Sequence, residues 1–89
     1  MDGDYLDRGP DLAIEILSPS DTLSEQLGKF EDYFANGTRL GWLILPEERS
    51  VIVLNSNSAP HVLSPGQTLD GGDLLPGFGL AIDDLFRGI

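Results

Sequence analysis

The 89 residues lead us to expect one domain at most, or part of a larger one, and with no cysteine and one histidine they exclude a disulfide scaffold, a thiolate zinc cage and a multi-histidine metal site. An apolar fraction of 40% is ordinary for a globular chain and too high for full disorder. The formal net charge of −10 is the unusual value. Residues 1–48 hold eleven acids against three bases, and residues 49–89 hold four against two. Acidity on this scale disfavours nonspecific DNA binding, and no run of bases offers a nucleic-acid patch. No apolar run approaches the roughly 20 residues that span a bilayer. The acidic Met1–Asp7 lacks the apolar centre of a signal peptide. The expectation is a cytoplasmic protein that does not engage a membrane.

Residues 1–10 read as a loop, with Asp2, Asp4 and Asp7 among Gly3, Gly9 and Pro10. Asp11–Leu17 reads as a strand. Leu12, Ile14 and Ile16 share one face, and Ala13, Glu15 and Leu17 share the other. Both faces are apolar apart from Glu15, which predicts a strand buried on both sides. A helix is expected over about 22–35, with Ser20 or Asp21 as its N-cap and Asn36-Gly37 as its stop. Leu23, Leu27, Phe30 and Phe34 make its apolar stripe. Leu40–Leu45 and Val51–Leu54 form a hairpin around Pro46-Glu47-Glu48-Arg49. Asn55–Ser58 reads as a polar loop and His61–Leu63 as a short edge strand. Residues 69–79, rich in glycine, read as irregular, anchored by Leu74, Leu75 and Phe78. Ile82–Phe86 reads as a last helical turn. The order is β-α-β-β with an irregular tail, an α/β or α+β arrangement.

Glu15 is the residue that demands chemistry. An ionised carboxylate buried mid-strand without a partner costs several kcal/mol. A cation, a metal or a retained proton would compensate; so would a strand face that reaches solvent at that point. Lys29 is the sole lysine. Gln26, Lys29 and Tyr33 form a second stripe on the helix, at i, i+3 and i+7, beside the apolar one. That stripe can point along the sheet towards Glu15, where a lysine beside a carboxylate and a metal would stabilise a phosphoryl transition state. Pairing with Glu25, four residues back, and a snorkelling lysine are the structural alternatives. Asp11 shares the Glu15 face but lies about 13 Å away in a regular strand, too far to share one metal. His61 has no acidic neighbour in sequence and reads as a surface residue. Ser18 and Ser20 lack the G-x-S-x-G setting of a nucleophile elbow. No phosphate-binding glycine motif is present.

The run P-D-L-A-I-E-I-L-S-P-S, then E-x-x-x-K-x-x-x-Y in a helix, then N-G-T-R-L-G-W-L-I, resembles the restriction-endonuclease-like Uma family. The likeness extends from about Gly9 to Phe86 and includes L-P-G-F-G-L-A-I-D-D-L-F. It implies a PD-(D/E)xK nuclease fold and metal-dependent phosphodiester hydrolysis of DNA. Glu15 takes the place of the metal-ligating strand acid. Leu17 fills the usual lysine slot, and the lysine's role passes to Lys29 on the helix. Glu25 stands where the family often has aspartate, and Tyr33 matches the helix tyrosine. Gln26 and Tyr33 would support the site from the same stripe. Mg²⁺ or Mn²⁺ would be the cofactor.

Family members are about twice as long. Their first half supplies the first metal-binding aspartate, and Pro10-Asp11 matches a later Pro-Asp instead. The expectation is therefore a single truncated domain over 1–89: an N-terminal loop over 1–10, a β-α-β-β core over 11–54 and a loop-rich tail over 55–89. It would be incomplete or inactive as a nuclease by itself. The alternative is a non-catalytic oligomerising or interaction module that pairs with further copies through an exposed sheet edge.

Overall fold

The computed structural model describes residues 9–87. The expected loop over 1–10 lies outside the described residues except for Gly9 and Pro10. Six strands in two sheets and two helices are present among the described residues, a mixed α+β fold. Strand β1 (Leu12–Ile16) leads through helix α1 (Leu23–Ala35) to β2 (Leu40–Leu45), β3 (Ser50–Asn55) and β4 (Ser58–Leu63). These four strands form one sheet in the order β1-β2-β3-β4. β1 runs parallel to β2, and the remaining pairs are antiparallel. A helical crossover is what a parallel pair requires.

Helix α1 starts at Thr22, not at Ser20 or Asp21. The Thr22 hydroxyl accepts from the Glu25 N–H, and the Glu25 carboxylate accepts from the Thr22 N–H, both at 3.1 Å. This reciprocal capping box satisfies two otherwise orphaned donors. Asp21 instead accepts from the Ser18 N–H and hydroxyl, at 3.1 and 2.8 Å, which closes the turn after β1. Gly37, at φ 101°, ends the helix in a conformation that favours glycine.

Phe30 of α1 packs with Ala13, Leu43 and Leu54 on one face of the sheet. Gly41 makes that closeness possible: a Cβ there would lie 2.6 Å from the Phe30 ring. On the other face, Trp42, Ile44, Val51 and Val53 pack against Leu69, Ile82 and Phe86.

The segment expected to be irregular is a hairpin. β5 (Thr68–Gly71) pairs antiparallel with β6 (Leu75–Ala81) as a second sheet. Its glycines do not abolish pairing. They supply the positive φ angles at Gly72 and Gly77, and a register shift falls at Asp70/Gly71. Leu69 is buried, and Phe78 stacks on Trp42 with ring centroids 5.5 Å apart. The expected polar loop over 55–58 shortens to a turn, because Asn55 closes β3 and Ser58 opens β4. Helix α2 (Ile82–Leu85) is the expected final turn and buries Ile82.

β1 is not buried on both sides. Ala13 faces α1 and is buried, but Ile14 and Ile16 are 49% and 56% exposed. The reason is its position at the end of the strand order among the described residues: the core formed with the β5–β6 hairpin and α2 lies over β2 and β3, and of this face of β1 it takes in Leu12 but not Ile14 or Ile16.

Candidate functional site

The β1–α1 interface gathers the polar residues singled out by the sequence. Glu15 points from the centre of β1 to the helix side of the sheet. Its Oε2 accepts a hydrogen bond from the Tyr33 hydroxyl at 2.7 Å. Its Oε1 lies 3.6 Å from the Lys29 ammonium. Compensation for a partly buried carboxylate is thus supplied by one cation and one hydroxyl. The Glu15 side chain keeps 21% of its exposure, and Lys29 keeps 55%. The pair therefore opens to solvent and is weak as a source of stability. The alternative partner for Lys29, Glu25, is occupied in the capping box.

Local structure explains the convergence. Ala13 and Glu15 share the α1 face of β1 by strand alternation. Lys29 and Tyr33, four residues apart, sit one turn above the other on α1. Tyr33 is held in place by an edge-to-face contact with the buried Phe30, centroids 5.7 Å apart. The carboxylate raises the Tyr33 pKa above its ordinary 10.0, because the neutral phenol donates to Glu15; burial and the negative charge add to this.

Gln26 lies on the same stripe but not at the carboxylate. It is 3% exposed, in the helix–sheet interface, and its Oε1 has no hydrogen-bond partner among the described residues. Asp21, read only as a cap candidate from sequence, belongs to the neighbourhood. Its pKa is lowered by the two bonds from Ser18, with smaller contributions from the Lys29 charge and the Gln26 amide. The Ser18-x-x-Asp21 spacing, a turn that follows a strand, was the available signal. Asp11 stands apart, with its carboxylate 3.9 Å from the Arg39 Nε at the opposite end of β1. His61 is exposed on β4, opposite Val53.

A divalent cation would find a single carboxylate at this site. Both Glu15 oxygens are engaged, and no three His, Asp or Glu side chains converge among the described residues. Mg²⁺ takes six oxygens and usually one or two carboxylates together with phosphate and water. The described residues do not by themselves fit a metal centre. They form a carboxylate–ammonium–phenol group on a rigid strand–helix pair.

Comparison with known proteins gives this geometry a context. Among the described residues, no helix is long and apolar enough to cross a membrane. No curated protein matches the chain. Among solved structures, it is similar to one described as a "putative nuclease belonging to DUF820" from Anabaena variabilis. The identity is 31% and the TM-score 0.81, over 89% of this chain and 45% of that chain. This chain thus spans less than half the length of that relative. A family model, Uma2, described as "Putative restriction endonuclease", matches residues 2–83. Because that match covers nearly the whole sequence, and the strand–helix arrangement around Glu15 lies inside it, the chain belongs to the Uma2 family.

Proposed function

We propose that this chain carries the carboxylate–lysine half of an endonuclease site that hydrolyses DNA phosphodiester bonds. The observation that supports this reading most directly is the placement of Glu15 between Lys29 and Tyr33, in a chain of the Uma2 family. Tyr33 fixes one carboxylate oxygen by hydrogen bonding. Lys29, more than half exposed, holds a positive charge beside Glu15, where a phosphoryl group would develop negative charge. Among the described residues Glu15 is the one acid that meets both Lys29 and Tyr33, so hydrolysis requires further carboxylates from polypeptide outside the described residues. Metal dependence, on Mg²⁺ or Mn²⁺, belongs to the site assembled from all of these. The net charge of −10 opposes tight DNA binding by this chain alone.

The test is a DNA cleavage assay, with Mg²⁺, with Mn²⁺ and with chelator, of the chain alone and of the chain joined to polypeptide that supplies the remaining carboxylates. The expected result is little or no cutting by the chain alone and metal-dependent cutting by the completed site, which Glu15→Ala abolishes and Lys29→Met reduces at least about tenfold, the scale of a lost transition-state contact of about 1.4 kcal/mol. Equal cutting by Glu15→Ala overturns the reading.

The exposed side chains of Ile14 and Ile16 on β1 favour a second reading, in which the chain is a non-catalytic pairing module. Stable self-association without cutting by the completed site under any metal condition would select it.

A further inference from the structure

We propose that the Lys29 ammonium has two seats at the junction of β1 and α1, Glu15 and Asp21, and exchanges between them, which makes Asp21 a positioning residue for the lysine. The seat at Glu15 is loose. The Nζ–Oε1 distance is 3.6 Å, well beyond the roughly 2.7–2.9 Å of a charge-assisted hydrogen bond. The Lys29 side chain is half exposed, and Tyr33 already holds the other carboxylate oxygen. A long, solvated ammonium at that separation is not fixed in one geometry.

Helix geometry directs the lysine to a second acid. Side chains on an α-helix tilt towards its N-terminus, so Lys29 leans back over the turn that carries Glu25 and Gln26. Two turns back on the same side lies the N-cap, Thr22, and Asp21 immediately precedes it. Of the other acids near this path, Glu25 is spent in the capping box. Asp32, one turn further on, lies behind the direction in which Lys29 leans.

Asp21 is held ready for a cation. Its Oδ2 accepts from both the Ser18 N–H and the Ser18 hydroxyl, which fixes the carboxylate in the turn after β1 and leaves Oδ1 outside those two bonds. The Ser18 bonds are the chief reason that its carboxyl ionises below the ordinary range, and the Lys29 charge acts in the same direction. The ammonium that approaches Glu15 is thus also felt at Asp21.

A cation with a seat on either side can leave one without leaving the site. When Lys29 moves to Asp21, Glu15 Oε1 is freed while the positive charge stays close by. A carboxylate with a free oxygen beside a retained ammonium suits phosphoryl chemistry at Glu15. That use of the exchange rests on the nuclease reading; the two seats do not.

Lys29 is the sole lysine, so lysine labelling gives one side-chain ammonium signal. The measurement is the NMR order parameter of the Lys29 side chain at neutral pH and low salt, where screening is weakest. Asp21→Asn keeps an acceptor for Ser18, and Glu15→Gln keeps one for Tyr33, while each removes a charge. Either single variant is expected to leave Lys29 restrained by the remaining seat. In the double variant the order parameter should fall by at least about twice the sum of the two single drops, the mark of coupled groups. Asp32→Asn, on the same helix, should cause no drop alone or with Glu15→Gln. Independently, Lys29→Met should shift the side-chain carbonyl resonance of Asp21.

Complete release of Lys29 by Glu15→Gln alone overturns the proposal. So does a lysine as mobile in the unmodified chain as in the double variant, an effect of Asp32→Asn equal to that of Asp21→Asn, or an Asp21 resonance unmoved by Lys29→Met. Two seats in a completed site that fails to cut DNA leave the exchange standing and count against the nuclease reading alone.

Discussion

The Tyr33 hydroxyl donates to Glu15 Oε2 at 2.7 Å across eighteen residues of sequence. The bond joins α1 to the middle of β1 and fixes the orientation of the carboxylate that Lys29 approaches from the other oxygen.

Tyr33→Phe removes that bond while keeping the ring against Phe30. The expected cost is about 1 kcal/mol of stability at neutral pH, read from denaturant midpoints. The folded-state pKa of Tyr33 is raised, so the stability it contributes is fully present below its ordinary 10.0 and is lost as pH rises through the raised value. An absorbance titration in a Tyr5→Phe background should show this late ionisation. Glu15→Ala should bring it back towards the ordinary value, because the hydrogen bond to Glu15 is the first cause of the shift. An unchanged titration in Glu15→Ala would refute the assignment.

Asp21 gives the opposite sign at the acid end. Its pKa lies below the ordinary 3.8, chiefly through the hydroxyl and N–H of Ser18. Its contribution is therefore present above that value and fades as pH falls through the lowered one. Ser18→Ala should move the Asp21 carboxyl upward in a carboxylate-resolved NMR titration. An Asp21 titration identical to that of the unmodified chain would contradict the bond pattern.

Two glycines should respond to alanine in opposite directions. At Gly41 a methyl group would meet the buried Phe30 ring at 2.6 Å, so Gly41→Ala should cost about 1–3 kcal/mol through overpacking. At Gly28, within α1, a methyl group meets nothing within 4 Å. Gly28→Ala should gain about 0.5–1 kcal/mol from helix propensity. Thermal melts of both variants decide this, and a stabilised Gly41→Ala would show the helix sits further from β2 than described.

Much of this was legible in the sequence, for identifiable reasons. The Leu23, Leu27, Phe30, Phe34 spacing marked α1, and the short branched runs marked β2 and β3, because local periodicity reports which face is buried. The i, i+3, i+7 relation of Gln26, Lys29 and Tyr33 indicated a shared stripe. It did not indicate that Gln26 turns into the interface while the other two reach Glu15, since that depends on packing against β1. The helix start was misplaced because Ser20, Asp21 and Thr22 are all good caps, and Ser18 claims Asp21 first. β1 looked doubly buried because its pattern is apolar on both faces; what covers a face is decided by elements distant in sequence. The β5–β6 hairpin was hidden by glycines that read as disorder of pairing but serve its turns.

Trp42 is the chain's one tryptophan, and it sits on β2 directly beside Ile14 of β1. Its ring is buried, stacked on Phe78, and its indole N–H has no partner among the described residues. An indole in such surroundings emits at short wavelength and shifts to the red when water reaches it. Its emission therefore reports one event without any label: loss of the hairpin that carries Phe78, which lets water reach the ring and shifts the emission to the red.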